Sequence, residues 1–263
     1  MFKFTRILRK NKPMKNYSIL LFLFISFVTF SQNKVDEKGR KQGPWEKTHP
    51  KSIALQYKGQ FIDDKPVGTF YYYYPSKSLQ AIIKHDVSIS RSSATFYSEN
   101  GVILSKGIYK NMKKDSIWLN YAPSGRLSSS ESYKEDKLNG PKIIYYLSED
   151  LSNKSLIMAS YTNYLNGLVD GEKVEYFDSG LIKLKGTYKN NKKIGVWETN
   201  HPNGKLMLEE RYKDGILHGW SIAKDEAGTE ISRKYYFHGE LLEGKKLENV
   251  MKQFKEKGIN PNN

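Results

Sequence analysis

The chain has 263 residues, 43 basic against 28 acidic, a formal net charge of +15 and no cysteine. The missing cysteine excludes disulfides, a thiolate nucleophile, a thiolate metal site and lipid attachment through a cysteine. Tyrosine alone supplies 19 residues and aromatics 13% of the chain, a composition poor in aliphatics that favours strands over helices.

Residues 1–31 read as a secretory signal peptide. Lys15 gives a positive start, Ser18 to Phe30 is a 13-residue apolar run, and Thr29-Phe30-Ser31 places a small residue before a cut after Ser31. The run is shorter than the roughly 20 residues that a membrane helix needs. Met14 is an alternative start. Removing Lys3, Arg6, Arg9, Lys10, Lys12 and Lys15, with no acid among them, lowers the net charge from +15 to +9. The expectation is a periplasmic or extracellular protein with no nucleic-acid partner. Its residual positive charge suits anionic lipid headgroups or acidic envelope polymers, although the lysines fall mainly in turns, where they solvate an elongated sheet. Residues 32–42, polar and poor in apolar side chains, are expected to be a mobile lead-in.

Residues 43–244 repeat. The stretch from Gly195 to Gly219 sets the rule: with Gly195 as zero, Trp197 stands at plus two, Gly204 at plus nine, Leu206 at plus eleven and Tyr212 at plus seventeen. Units start at Gly43, Gly68, Ser92, Ser116, Gly140, Gly171, Gly195 and Gly219, with steps of 24 or 25 residues except for one of 31, and Gly244 marks a truncated ninth. Gly101, Gly125, Gly180, Gly204 and Gly228 return at plus nine, and Tyr109, Tyr133, Tyr188, Tyr212 and Tyr236 at plus seventeen. A fixed period of this length marks a repeat array in which each unit contacts its neighbours.

Each unit predicts two strands and two turns. In the first, Ile53, Leu55 and Tyr57 alternate behind the His49-Pro50 turn. The second carries Tyr71 to Tyr74 consecutively, which puts rings on both faces of a strand, and His85 replaces its plus-seventeen tyrosine. The third and fourth lose the leading glycine but keep tight-turn chemistry in Ser-Glu-Asn-Gly and Pro-Ser-Gly. The fifth, Gly140 to Asp170, is seven residues longer. There Glu149, Asp150 and Asn153 offer oxygen atoms without the order of a calcium loop, so no calcium site is assigned. The plus-two position, aromatic in Trp45, Phe70, Trp118 and Trp197, and the plus-five position, a tyrosine in Tyr97, Tyr121, Tyr145 and Tyr176, are three residues apart, which requires either rings on both faces or a bulge.

Residues 245–263 change character. Leu247, Val250, Met251 and Phe254 follow helical spacing up to Gly258, predicting an amphipathic helix that caps the open end of the array.

These units, with G-x-W, a turn Asn-Gly, an apolar-x-apolar run, Tyr-Lys and a closing G-x-x-H-G, resemble MORN repeats in the variant form common in bacterial exported proteins, over about Gly39 to Gly244. The resemblance implies an all-β fold, an elongated single-layer antiparallel sheet of about eight tandem hairpins with a short C-terminal helix. For function it implies scaffolds, lipid contacts and, in some bacterial relatives, antitoxin-like components. Stacked hairpins also satisfy physics, because a lone hairpin is marginal in water and equivalent rings one unit apart are expected to stand side by side as the core.

Chemistry is sparse. The five histidines, His49, His85, His201, His218 and His238, are scattered; His49 and His201 share one turn phase, which points to a turn role. Glu209 and Glu210 stand in a strand where other units carry Ser or Lys-Gly. No nucleophile elbow, metalloprotease helix or phosphate loop is present, so no catalytic, cofactor-binding or metal residue is assigned, no cofactor is expected and no ligand-binding residue is named. The reading is a non-enzymatic, monomeric exported scaffold for an unknown protein partner, with an envelope-surface binder of glycan or anionic lipid, in peripheral membrane contact, as the alternative.

Overall fold

The computed structural model describes residues 33–148 and 155–262. The signal-peptide reading of residues 1–31 and the oxygen-rich stretch Glu149 to Asn153 lie outside the described residues. What is described is one open antiparallel sheet of 19 strands followed by one helix.

The strands pair in chain order. An edge strand β1 (Lys34–Val35) precedes the units. Units one to four supply β2 (Lys41–Thr48) with β3 (Leu55–Ile62), β4 (Lys65–Tyr73) with β5 (Leu79–Asp86), β6 (Arg91–Tyr97) with β7 (Ile103–Lys110), and β8 (Lys113–Tyr121) with β9 (Leu127–Lys134). Units five to seven supply β10 (Lys137–Tyr145) with β11 (Met158–Leu165), β12 (Leu168–Tyr176) with β13 (Ile182–Lys189), and β14 (Lys192–Asn200) with β15 (Leu206–Lys213). The eighth has a strand broken at His218 into β16 (Ile216–Leu217) and β17 (Gly219–Lys224), then β18 (Glu230–Phe237); β19 (Glu240–Leu242) and α1 (Gly244–Glu256) close the chain. The helix starts one residue earlier than the spacing predicts, and Gly258 follows it with a φ of 63°.

The bulge question is answered by the pairing. In all eight units the register slips between plus four and plus five, from Lys47/Thr48 in the first to Ala223/Lys224 in the last. Between units, two-residue turns such as Glu135-Asp136, Asn190-Asn191 and Asn166-Gly167 have positive φ at both positions. That geometry matches the strand twist and closes the connection with no spare residue.

One face carries the core, and its packing corrects the expected ladder. Equivalent rings of neighbouring units are two strands apart, about 10 Å, too far to touch. Contact instead runs between each plus-two ring and a ring on an adjacent strand, the preceding one for Trp118 and Trp197 at their shortest. Trp118 meets Tyr109 at 4.9 Å and Trp197 meets Tyr188 at 4.9 Å, both edge to face. Phe61 bridges Trp45 (5.9 Å) and Phe70 (5.1 Å). Three of the buried rings also lie over a glycine of the preceding strand: a Cβ added at Gly59, Gly107 or Gly186 would overlap Phe70, Trp118 or Trp197. The register slips at those three glycines too, which lets the ring lie flat on bare backbone. Lysines roof the tryptophans. Lys114 stands 4.4 Å from the Trp118 ring and 4.8 Å from Tyr133, and Lys193 stands 4.3 Å from Trp197 and 4.6 Å from Tyr212.

Both ends are covered. The lead-in expected to be mobile is instead paired: β1 joins β2, the Asn33 side chain bonds the Glu46 backbone twice, and the Trp45 indole donates to the Lys34 carbonyl. Asp36 accepts from the Arg40 backbone and guanidinium, holding its carboxyl down at about 2. At the other end α1 sets Phe254 against Phe237 at 5.7 Å, and the tail after it accepts the Tyr235 hydroxyl on the Pro261 carbonyl. Tyr235 is fully buried, so the segment beyond the helix closes this end as much as the helix does.

Candidate functional site

Most polar groups singled out in the sequence are engaged by the array itself. His49 Nε2 lies 2.9 Å from the Tyr73 carbonyl, and His201 Nε2 lies 2.9 Å from the Lys224 carbonyl. Tyr74 and Tyr146, at the same plus-six phase, donate to the carbonyls of Tyr97 and Tyr176. All four acceptors sit at plus five of the next unit. The turn role expected for His49 and His201 is thus a clip between successive units, and it is shared with two tyrosines whose phase the sequence reading overlooked.

Glu209 pairs with Arg211 at 2.9 Å, and Glu210 accepts the Tyr212 hydroxyl at 2.9 Å. Glu131, in the position of the bare glycines, accepts the Tyr133 hydroxyl and pairs with Lys142, which takes the plus-two place of a tryptophan. Burial pushes the Glu131 carboxyl up, and the bonds from Lys142 and Tyr133 outweigh it, leaving the group below its ordinary value. This seam replaces a ring on a glycine with an ion pair. His218 is buried, its ring 5.0 Å from His238 at the turn into β19.

His85 is different. The joint between the second and third units breaks the array's rules together. Strands β5 and β6 pair in unbroken register, without the slip at the glycine position. Their connection is the four-residue turn from Val87 to Ser90, with Asp86 opposite Arg91. Ala94 stands at plus two where a ring is usual, Ile83 faces it, and Ser92 replaces the leading glycine.

Across β5, β6 and β7 the row His85, Ser92, Tyr109 runs side by side. His85 Nδ1 lies 2.9 Å from Ser92 Oγ, while Nε2 is buried with no hydrogen-bond partner and the ring meets Phe70 edge to face at 5.2 Å. Burial pushes the imidazole pKa down, so the ring is neutral at pH 7. A serine on Nδ1 with no carboxylate on Nε2 is not the nucleophile, base and orienter sequence of an acyl-transfer site.

The row opens into a cavity of about 320 Å³ lined by Pro66, Tyr72, Ile83, His85, Ser92, Tyr109 and Met112. That is at the small end of the roughly 300–1,000 Å³ of ligand sites. An adjoining cavity that shares Pro66, His85, Ser92 and Met112 with it is lined also by Lys65, Asp86 and Arg91. Val87, Ile89 and Met112 stand 58%, 56% and 88% exposed beside it. Met112 also occupies the second left-handed turn position, φ 64°, where units five and seven place Gly167 and Gly215. The substitution of His85 for tyrosine was the sequence signal for this site; the unbroken register that opens it had none.

The fold and this interrupted face define a tandem β-hairpin repeat protein. The family model described as MORN repeat variant matches residues 93–111 and 193–214, so variant MORN repeats stand at those two places, one entering the joint and one holding the Gly195 unit. No curated protein matches the chain.

Proposed function

We propose that the protein is an exported, non-enzymatic repeat scaffold that docks a protein partner of the cell envelope at the joint between its second and third units. MORN repeats are commonly protein- or lipid-binding modules. The observation that carries the reading is the contrast in engagement. At most other seams the rings, histidines and carboxylates of the face are used on one another, whereas this joint offers a cavity lined by Tyr72, Ile83, Tyr109 and Met112, with Met112 itself largely exposed. The apolar run from Ser18 to Phe30 supports export. Photo-crosslinking from position 89 in intact cells tests it. A discrete protein adduct, absent when the crosslinker stands at position 183 on the far side of the array, is expected; no adduct, or equal adducts from both positions, overturns it.

A second reading rests on the turn edge, where Lys110 and Lys113, Lys134 and Lys137, and Lys189 and Lys192 close three of the turns between units as exposed pairs. Such an edge suits an anionic lipid or acidic glycan. Pelleting with anionic vesicles at low ionic strength, lost in high salt, supports it, and no pelleting rejects it.

A further inference from the structure

We infer that the cavity at the second–third joint is an anchor site for one uncharged aromatic side chain, a phenol or an indole, presented by a partner polypeptide. This deepens the scaffold reading and rests on it for the source of the ring; whether the cavity takes a ring at all stands apart from that reading.

The chemistry of the walls sets the class of ligand. Tyr72 and Tyr109 supply ring faces and edges, Pro66 and Ile83 supply aliphatic surface, and Met112 supplies a thioether, which favours aromatic neighbours. None of these walls carries a formal charge, and the imidazole of His85 is neutral there, so a cation or carboxylate entering the cavity would be desolvated without a partner. The polar groups are Ser92 Oγ, the imidazole of His85 and the phenol hydroxyls of Tyr72 and Tyr109, enough to meet one hydroxyl or one indole N–H. Nε2 is covered by the Phe70 contact, so a ligand reaches the pair through the serine hydroxyl or by a turn of the imidazole.

The place in the array gives the same answer. At Trp118 and Trp197 the face receives a ring of its own, held between the tyrosine of the preceding strand and a lysine. The third unit brings Ala94 instead, so the tyrosine before Trp118 keeps a side that no ring among the described residues fills. Lys65, Asp86 and Arg91, which line the adjoining cavity that shares Pro66, His85, Ser92 and Met112, set a rim of both signs beside this apolar floor, the layout of an aromatic anchor next to a polar border. A polypeptide backbone can bond that rim, which a free aromatic metabolite lacks.

The test uses the chain from residue 32 onward with its methionine methyl groups labelled for NMR. N-acetyl-tyrosinamide and N-acetyl-tryptophanamide are titrated, with N-acetyl-leucinamide as the aliphatic control. The expected result is saturable movement of the Met112 methyl signal by the aromatic amides and none by the leucine amide. Two variants keep the outcome readable: His85→Tyr, read at the Met112 methyl, restores the residue of the other units and fills the cavity, and Met112→Gly, read at the Tyr109 ring signals in a sample labelled on its tyrosines, removes the thioether while relaxing the turn. Each is expected to weaken the aromatic amides about tenfold, the equivalent of one lost hydrogen bond or contact group, with the Trp118 signals unchanged. A Met112 signal indifferent to all three probes, or moved equally by the leucine amide, overturns the inference. Ring binding in vitro without a crosslinked protein in cells leaves the anchor standing and sinks the docking role.

Discussion

The seam between the sixth and seventh units and the joint between the second and third are built from equivalent strands and differ in their turns, in His85 and Ser92, and above all at the two residues that face each other across the pair. In the first, Gly186 yields its space to Trp197, the register slips by one, and Tyr188, Tyr212 and Lys193 close around the indole. In the second, Ile83 and Ala94 take those places, the register does not slip, and a cavity remains. The comparison teaches that a repeat of this kind is held by a pairing between a missing side chain and a large one. Where that pairing is given up with no ion pair such as Glu131–Lys142 in its stead, the array gains a place for something else.

Removing the ring should break the seam most. Trp197→Ala is expected to cost about 3–5 kcal/mol in urea unfolding, the usual loss for a buried ring; a cost under about 1 kcal/mol would show that the indole is not the core. Gly186→Ala approaches the same contact from the other side, by overpacking rather than emptying, and should cost about 1–3 kcal/mol. The joint should answer in the opposite sense. Met112→Gly relieves a left-handed residue in a two-residue turn and is expected to raise stability by about 1 kcal/mol, read as a higher melting temperature. A smaller effect belongs to the clips: His201→Ala removes one bond to the Lys224 carbonyl, worth about 0.5–1.5 kcal/mol.

The ion-pair seam adds a pH dependence. Burial, and then the bond to Glu131, pushes the Tyr133 phenol up to about 12. Its folded value lies above the unfolded one near 10, so its contribution is complete below pH 10 and is lost as pH rises through 12. Tyr133→Phe should flatten the alkaline fall in stability over that window, and an unchanged curve would assign the fall to other groups.

Much of this fold was legible because its signals recur. The plus-nine glycines and plus-seventeen tyrosines returned in step, and their period fixed a hairpin array before any coordinate. The contact partners were not legible. A 24-residue repeat invites pairing of equivalent rings, but each unit spends two strands, so the neighbour of Trp197 is Tyr188 and not the plus-two residue of the sixth unit, Lys173. The bulge at plus five left only the three-residue spacing as its trace, which fits two explanations equally. The lead-in looked solvated because its task is done by backbone and short polar groups around Asn33 and Asp36. The cavity depended on a register that does not slip, and an absent bulge writes nothing into the sequence beyond an alanine and an isoleucine.

The claim beneath all of this is that large rings lie flat on glycine backbone of the preceding strand. The α-proton shifts of Gly59, Gly107 and Gly186 measure it directly, with Gly101, Gly180 and Gly228, which have open space around them, as internal references. The account predicts that the first three are displaced strongly upfield by Phe70, Trp118 and Trp197 while the references stay near ordinary turn values. Six glycines with indistinguishable shifts would contradict it.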